Sequence, residues 1–239
     1  MTRIWTLAWF LIGDLFHSLL ALVPLAAALA FGLIAFEYGM DQAQFITVAG
    51  LGIGVIGWLT TLLLAGRADR AWMCLLVARL RRRTELLAAL FISGLGLTGG
   101  LAALITAPNL LAGRLTLELP AAGWIVPTWL VLWSLAVALA LALSGLVSRG
   151  DSHLLGYGLL TALLVANDQK LFLAEHRLGG VIRVVNLLLW PVSRLLAQAS
   201  AGRHDRLYFL ALALTGVYAM ALFALAARLF DHKDLLWPE

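Results

Sequence analysis

Long apolar stretches constrain this chain more than any other feature of its sequence. A helix needs about 20 consecutive, mostly apolar residues to cross a bilayer, and lipid requires that each backbone polar group finds a partner within the spanning segment. Six stretches meet that length, the fifth less apolar than the others: residues 15–36, 45–65, 86–107, 123–147, 153–173 and 207–227. We therefore predict an all-α, polytopic integral membrane helix bundle, forming a single transmembrane domain over residues 1–239.

Composition agrees with a chain surrounded by lipid. The sequence is 62% hydrophobic and 13% charged, whereas soluble domains are nearer half apolar and a quarter charged. The formal net charge is +4, and most basic residues adjoin apolar stretches, so membrane lipid rather than nucleic acid is the expected partner. The single cysteine, Cys74, excludes an internal disulfide and a multi-cysteine metal site.

The first residues, 1–13, predict a helix that lies in the membrane interface before the first span. Trp5 and Trp9 suit that depth. One narrow stripe of the helix is polar or small: Arg3, Thr6, Gly13, Asp14 and His17. Residues 28–30 resemble a signal-peptide cleavage site, but the preceding stretch is long and holds polar groups, so we expect no cleavage there.

The distribution of arginine predicts the orientation. The connection 66–85 carries six arginines, whereas the connection 37–44 carries none. The positive-inside rule then places residues 66–85 in the cytoplasm, and an even number of spans places both termini there as well. The expected location is the cell membrane, with the protein crossing it several times.

The last third of the chain admits more than one topology. If residues 153–173 span, the basic stretch 174–206 lies outside, against the positive-inside rule. Gly179-Gly180 and Trp190-Pro191 predict that this stretch forms short, broken or re-entrant helices before the last span. Five spans, or a seventh at 181–200, are the alternatives to six.

Glycines at intervals of three or four residues predict close helix packing in lipid. The candidates are Gly50, Gly54, Gly57, Gly96 and Gly100. Residues 94–99 match a dinucleotide-binding fingerprint by letters, but that motif requires a strand and a helix around it. Inside an apolar span we interpret these glycines as packing residues.

The sequence offers no motif for an enzyme of its own. It contains no phosphate loop, zinc-protease helix or Gly-x-Ser-x-Gly elbow, so we expect no catalytic, metal or cofactor site. Asp14 and His17 are interpreted as interfacial groups rather than a proton relay. Asn167, Asp168 and Lys170 are interpreted as capping residues, with a polar substrate path as the alternative.

The connection 66–85 contains a short amphipathic helix over residues 71–80. Its apolar positions recur at helical spacing: Met73, Leu76, Val77 and Leu80. Charged residues flank it on both sides. It predicts a docking helix that a cytoplasmic partner contacts, with a simple membrane anchor as the alternative.

The order of these parts resembles the membrane subunit of a type-2 ABC exporter. The local resemblance lies in residues 75–80 with 83–87, in 186–191 and in 229–235; where many members carry Glu-x-Glu-x-Gly, this chain has residues 66–70. The resemblance implies a non-enzymatic permease that pairs as a homodimer or heterodimer and uses ATP through a separate ABC ATPase subunit. The residues it implies for ATPase coupling are Arg67, Asp69, Arg70, Trp72, Leu76, Arg79 and Arg83.

The expected function is therefore export of an apolar or amphipathic substrate. Two other functions stay open at this point. One is a non-transporting membrane scaffold or assembly subunit. The other is a membrane-embedded enzyme that modifies lipid, for which the sequence shows no buried nucleophile or paired carboxylates.

Overall fold

Helices form every regular element in the described part of the chain. The computed structural model describes residues 2–38, 41–68, 83–113, 115, 119–147 and 179–232. A single turn at Gln42–Gln44 continues into a π-helical turn at Phe45–Ala49, which leads into the longer helix that begins at Gly50. The seven longer helices are α1 (Thr2–Phe16), α2 (Leu22–Tyr38), α3 (Gly50–Ala68), α4 (Thr84–Leu111), α5 (Leu119–Leu143), α6 (Gly179–Ser200) and α7 (Arg206–His232).

Five described helical stretches are long and apolar enough to cross a membrane. They are Leu19–Glu37, Gln42–Ala68, Thr84–Leu111, Gly123–Leu143 and Arg206–His232. These stretches confirm an all-α, multi-pass membrane bundle and match five of the six predicted spans. The predicted span 153–173 and the predicted docking helix 71–80 lie outside the described residues.

Two apolar clusters fill opposite ends of the bundle. At one end, which we name the α1 end, Leu11 of α1 packs with Leu64, Leu87 and Phe230. At the other, named the hairpin end because the turn between α6 and α7 lies there, Ile46 packs with residues that include Trp129, Leu195 and Tyr208. Four helices contribute to both clusters and therefore run the length of the bundle: α3, α4, α5 and α7.

The positions of the helix ends constrain the topology. After α5, Leu146 and Val147 belong to the cluster at the α1 end. Val192 and Tyr208 belong to the cluster at the hairpin end. The described segment that ends at Val147 thus finishes at the α1 end, and the described residues Val192 and Tyr208 lie at the hairpin end.

Helix α1 is longer and less peripheral than the sequence indicated. It extends to Phe16, beyond the predicted boundary at residue 13, and Leu7, Leu11 and Leu15 are buried against the bundle. Trp5 and Trp9 on its other side are 56% and 69% exposed. The helix thus has one face in the protein core and an aromatic face outside.

Helix α6 differs from the predicted broken pair of helices. It runs without interruption from Gly179 to Ser200, with Pro191 in its interior. Proline removes one backbone donor, but Val192, Leu195 and Ala199 are buried against the hairpin-end cluster. We attribute the continuity of α6 to this packing, because tertiary contacts on one face contribute more to helix stability than local propensity does.

Candidate functional site

The last turn of α3 is joined to α1 by a partly buried ion pair. Arg67 Nε donates to Asp14 Oδ2 at 2.6 Å, and the two side chains are only 13% and 21% exposed. A cation in the last turn of a helix also interacts favourably with the helix dipole. The Asp14 carboxylate therefore pairs with an arginine at the beginning of the arginine-rich connection 66–85.

A second polar contact holds α1 against α4. The Ser93 hydroxyl of α4 lies 3.1 Å from the Ala8 carbonyl oxygen and 2.8 Å from the Ala89 carbonyl oxygen of its own helix. Ser93 and Ala8 are buried. Because buried polar groups in apolar surroundings need partners, this contact favours one position of α1 on the bundle.

Two of the residues predicted to couple to an ATPase lie in the described part of the connection 66–85. Arg67 is in the last turn of α3, and Arg83 lies immediately before α4. Glu85 occupies the first turn of α4, and its Oε2 atom is buried without a hydrogen-bond partner among the described residues. The remaining predicted coupling residues lie outside the described part of the chain: Asp69, Arg70, Trp72, Leu76 and Arg79.

Helices α3 and α4 cross through a reciprocal glycine–threonine contact. A Cβ added to Gly57 would overlap the hydroxyl of Thr98, and one added to Gly94 would lie 2.6 Å from Thr61 Oγ1. Each threonine is fully buried and donates a hydrogen bond to the glycine of its own helix: Thr61 to the Gly57 carbonyl and Thr98 to the Gly94 carbonyl. The hydroxyl groups are thereby satisfied while the two backbones approach closely.

At the hairpin end, two tryptophans of α5 interlock with the start of α3. Trp129 Nε1 donates to the Ile46 carbonyl at 3.1 Å, and Trp133 Nε1 donates to the Gly50 carbonyl at 3.2 Å. A Cβ on Gly50 would lie 2.6 Å from Trp129 Nε1, and one on Gly54 would lie 3.6 Å from Trp133 Cδ1. The Ile46 carbonyl lies within the π-helical turn, where the regular hydrogen-bond pattern changes.

The other two predicted packing glycines have different surroundings. A Cβ on Gly96 or Gly100 would meet no heavy atom within 4 Å among the described residues. Both glycines are exposed on α4, on the same face as Ala103 and Ala107. They bring no other described helix close to α4.

A polar and aromatic cluster joins α5 to α7 at the hairpin end. Thr128 Oγ1 lies 2.8 Å from the Trp124 carbonyl oxygen and 2.9 Å from the Tyr208 hydroxyl, and that hydroxyl lies 3.4 Å from the same carbonyl oxygen. The His204 ring stacks on Trp124 with their centroids 4.5 Å apart. A cavity of about 10 Å³ lies beside this cluster, which is about the size of one water molecule.

Within the described residues, no three His, Cys, Asp or Glu side chains are grouped to hold a metal ion.

Comparison with known proteins assigns no family to this chain. No protein-family model, curated protein or solved structure matches this chain. The geometry described above is the basis for a functional proposal.

Sequence reasoning did not find several of these contacts. The Asp14–Arg67 pair joins residues that are 53 positions apart, and neither carries a local signal for the other. The Trp129–Trp133 spacing of four residues matches the Gly50–Gly54 spacing, which is the signal that could have suggested their interlocking.

Proposed function

We propose that this chain is the membrane permease subunit of an ATP-driven exporter that takes its energy from a separate ABC ATPase chain. The Asp14–Arg67 pair is the observation that carries the proposal. It joins α1 to the last turn of α3, directly before the arginine-rich connection that would contact the ATPase. The substrate would be apolar or amphipathic, in keeping with the apolar character of the spans.

A displacement of the arginine-rich connection would move three helices together. Helix α3 ends at Ala68 and α4 begins at Thr84, so both adjoin the connection directly. The Gly57–Thr98 contact fixes α3 to α4, and Asp14 adds α1 to the same unit. Packed helices shift as units rather than deform continuously, so ATP-driven movement at the connection would rotate or shift this group as one body.

At the hairpin end, a local change in helical geometry would accompany this movement. There α3 is preceded by the π-helical turn Phe45–Ala49, whose Ile46 carbonyl accepts the Trp129 indole hydrogen bond. π-Helical turns frequently occur at functional sites. Rewinding of this turn would let the hairpin end open while α3 and α4 stay packed.

The exposed small-residue face of α4 supports pairing with a second permease. Gly96, Gly100, Ala103 and Ala107 lie on this face, and small residues allow helix backbones to approach closely in lipid. With Cys74 replaced by serine, Gly100→Cys should form a cross-linked dimer in membranes. Met220→Cys, at a 73% exposed position on α7 and therefore outside this face, is the control and should not cross-link.

The proposal is tested by purification of the full chain from its native membranes in mild detergent. We expect an ATPase with a phosphate loop to be recovered with the wild-type chain and lost with the Arg70→Glu, Arg79→Glu double variant, while membrane insertion is retained. Arg228→Glu, in the last turns of α7, is the control for a general effect of charge reversal.

Two results would replace the exporter with another function. Recovery of membrane partners without any ATPase would indicate a scaffold or assembly subunit. Turnover of lipid by the purified chain alone would indicate a lipid-modifying enzyme.

A further inference from the structure

The hairpin end carries an exposed group of arginines. Arg194 on α6, Arg203 in the turn and Arg206 at the start of α7 are all exposed. None of the three guanidinium groups pairs with a carboxylate of the described residues. These charges lie at the end opposite the connection 66–85, where the positive-inside rule predicts few arginines.

Two carboxylates at the hairpin end cap helix starts. Asp205 Oδ1 accepts hydrogen bonds from the backbone N–H groups of Leu207 and Tyr208, at 3.1 and 3.0 Å. Asp41 Oδ1 accepts one from Gln44 N at 2.6 Å. Capping satisfies orphan backbone donors, so these two carboxylates are directed to helix starts, and neither forms an ion pair with the three arginines within the described residues.

The turn holds two of these arginines in a fixed geometry. Gly202 adopts a φ of 64°, and Arg203 N donates to the Gln198 carbonyl at 2.9 Å while Gly202 N donates to the Ala199 carbonyl at 3.1 Å. This pair of bonds is a Schellman motif. Because Asp205 then caps α7, the turn is ordered on both sides of the arginines.

Apolar side chains continue directly from this basic rim. Leu207, Phe209 and Leu210 on α7 are 47%, 49% and 48% exposed, and Leu187 on α6 is 75% exposed. Trp124, stacked on His204, adds an aromatic group of the kind enriched at membrane interfaces. Positive charge above exposed leucine and phenylalanine is complementary to a lipid with an anionic headgroup and acyl chains.

We propose that the hairpin end binds anionic phospholipid through Arg194, Arg203 and Arg206, which contact the phosphate headgroup while Leu207, Phe209 and Leu210 face the acyl chains. An acidic soluble protein would meet the arginines but would leave these apolar side chains uncovered. The site is independent of the exporter proposal, because it lies at the end away from the arginine-rich connection.

Native mass spectrometry of the detergent-purified full chain tests this site. The chain is titrated with phosphatidylglycerol and, in parallel, with zwitterionic phosphatidylcholine. The Arg203→Gln, Arg206→Gln double variant should weaken the tightest phosphatidylglycerol binding about tenfold, since each basic group near a membrane surface strengthens this attraction several-fold. Arg203→Lys with Arg206→Lys should retain most of the binding, because the charge is kept.

Arg228→Gln is the matched control, since it removes one exposed arginine from the other end of α7 and should leave the affinity unchanged. Equal phosphatidylglycerol affinity in the wild type and the double glutamine variant would overturn the site. So would phosphatidylcholine binding as tight as phosphatidylglycerol, or displacement of the lipid by an equal concentration of inorganic phosphate, which would mark a free-phosphate site. If the double variant loses helicity, Arg194→Gln replaces it, and an unchanged affinity there overturns the proposal equally.

Discussion

The side chain of Thr98 occupies the space that a Cβ on Gly57 would need, so α3 and α4 can cross at this point only with glycine at residue 57. Thr61 and Gly94 repeat the arrangement with the helices exchanged. Both threonine hydroxyls are satisfied within their own helices, and the contact therefore depends on shape rather than on an interhelical hydrogen bond. It fixes the two helices that border the arginine-rich connection.

Gly57→Ala should destabilise the bundle. The added methyl group must displace Thr98 or move the helices apart, and overpacking of this kind costs about 1–3 kcal/mol. Thermal unfolding of the purified chain in detergent, followed by circular dichroism, measures the effect. Gly216→Ala on α7 is the control: a Cβ there meets nothing within 4 Å, so it should be neutral or stabilise by up to about 1 kcal/mol through helix propensity. Equal midpoints for the two variants would contradict the crossing described here.

Asp14→Asn should loosen α1 without unfolding the bundle. The change leaves the Arg67 guanidinium, only 13% exposed, without its carboxylate, and loss of a hydrogen bond to a charged group costs about 1–3 kcal/mol. Limited proteolysis should then cleave between α1 and α2 faster than in the wild type.

Exchange of the two charges provides the specific control for this pair. Asp14→Arg combined with Arg67→Asp should recover part of the protection that either single change loses, because the opposite charges face each other again. Glu37→Gln removes an exposed carboxylate at the hairpin end and should leave proteolysis unchanged. If the double exchange is cleaved as fast as Asp14→Arg alone, the pair does not hold α1.

Tyr208→Phe should remove the hydrogen bonds that its hydroxyl makes with α5 and little else. Tyr208 is fully buried, and its hydroxyl lies 2.9 Å from Thr128 Oγ1 and 3.4 Å from the Trp124 carbonyl oxygen, so loss of the hydroxyl should lower stability by about 1 kcal/mol. A double-mutant cycle with Thr128→Val isolates the contact: the second change should cost less in the Tyr208→Phe background than in the wild type. Additive effects would show that the two hydroxyls do not interact.

The sequence predicted the described spans well because their signal is local. Twenty apolar residues in succession determine a spanning helix without reference to the rest of the chain. The glycine spacing at Gly50, Gly54 and Gly57 likewise indicated close packing, although it could not identify the facing residues Trp129, Trp133 and Thr98. Those residues become neighbours only when the helices assemble.

The parts that sequence reasoning missed depend on contacts distant in the chain. Pro191 predicted a break in α6, but the buried face of that helix, which includes Leu195, keeps it continuous. The pairing of Asp14 with Arg67 was not predicted, because the two residues lie in different helices and 53 positions apart. Gly96 and Gly100 show the same spacing as Gly50 and Gly54 yet face no described helix, since spacing alone does not specify which side of a helix is covered.

Gly202→Ala should destabilise the turn between α6 and α7. Gly202 has a φ of 64°, a left-handed conformation that costs an L-residue with a side chain about 1–2 kcal/mol. Thermal unfolding should show a lower midpoint for this variant than for Gly216→Ala, which lies in a regular helix. Gly202→Asn should cost less than Gly202→Ala, because asparagine tolerates the left-handed region better than alanine. If alanine and asparagine unfold at the wild-type temperature, the turn does not hold this conformation, and the fixed presentation of Arg203 and Arg206 is lost with it.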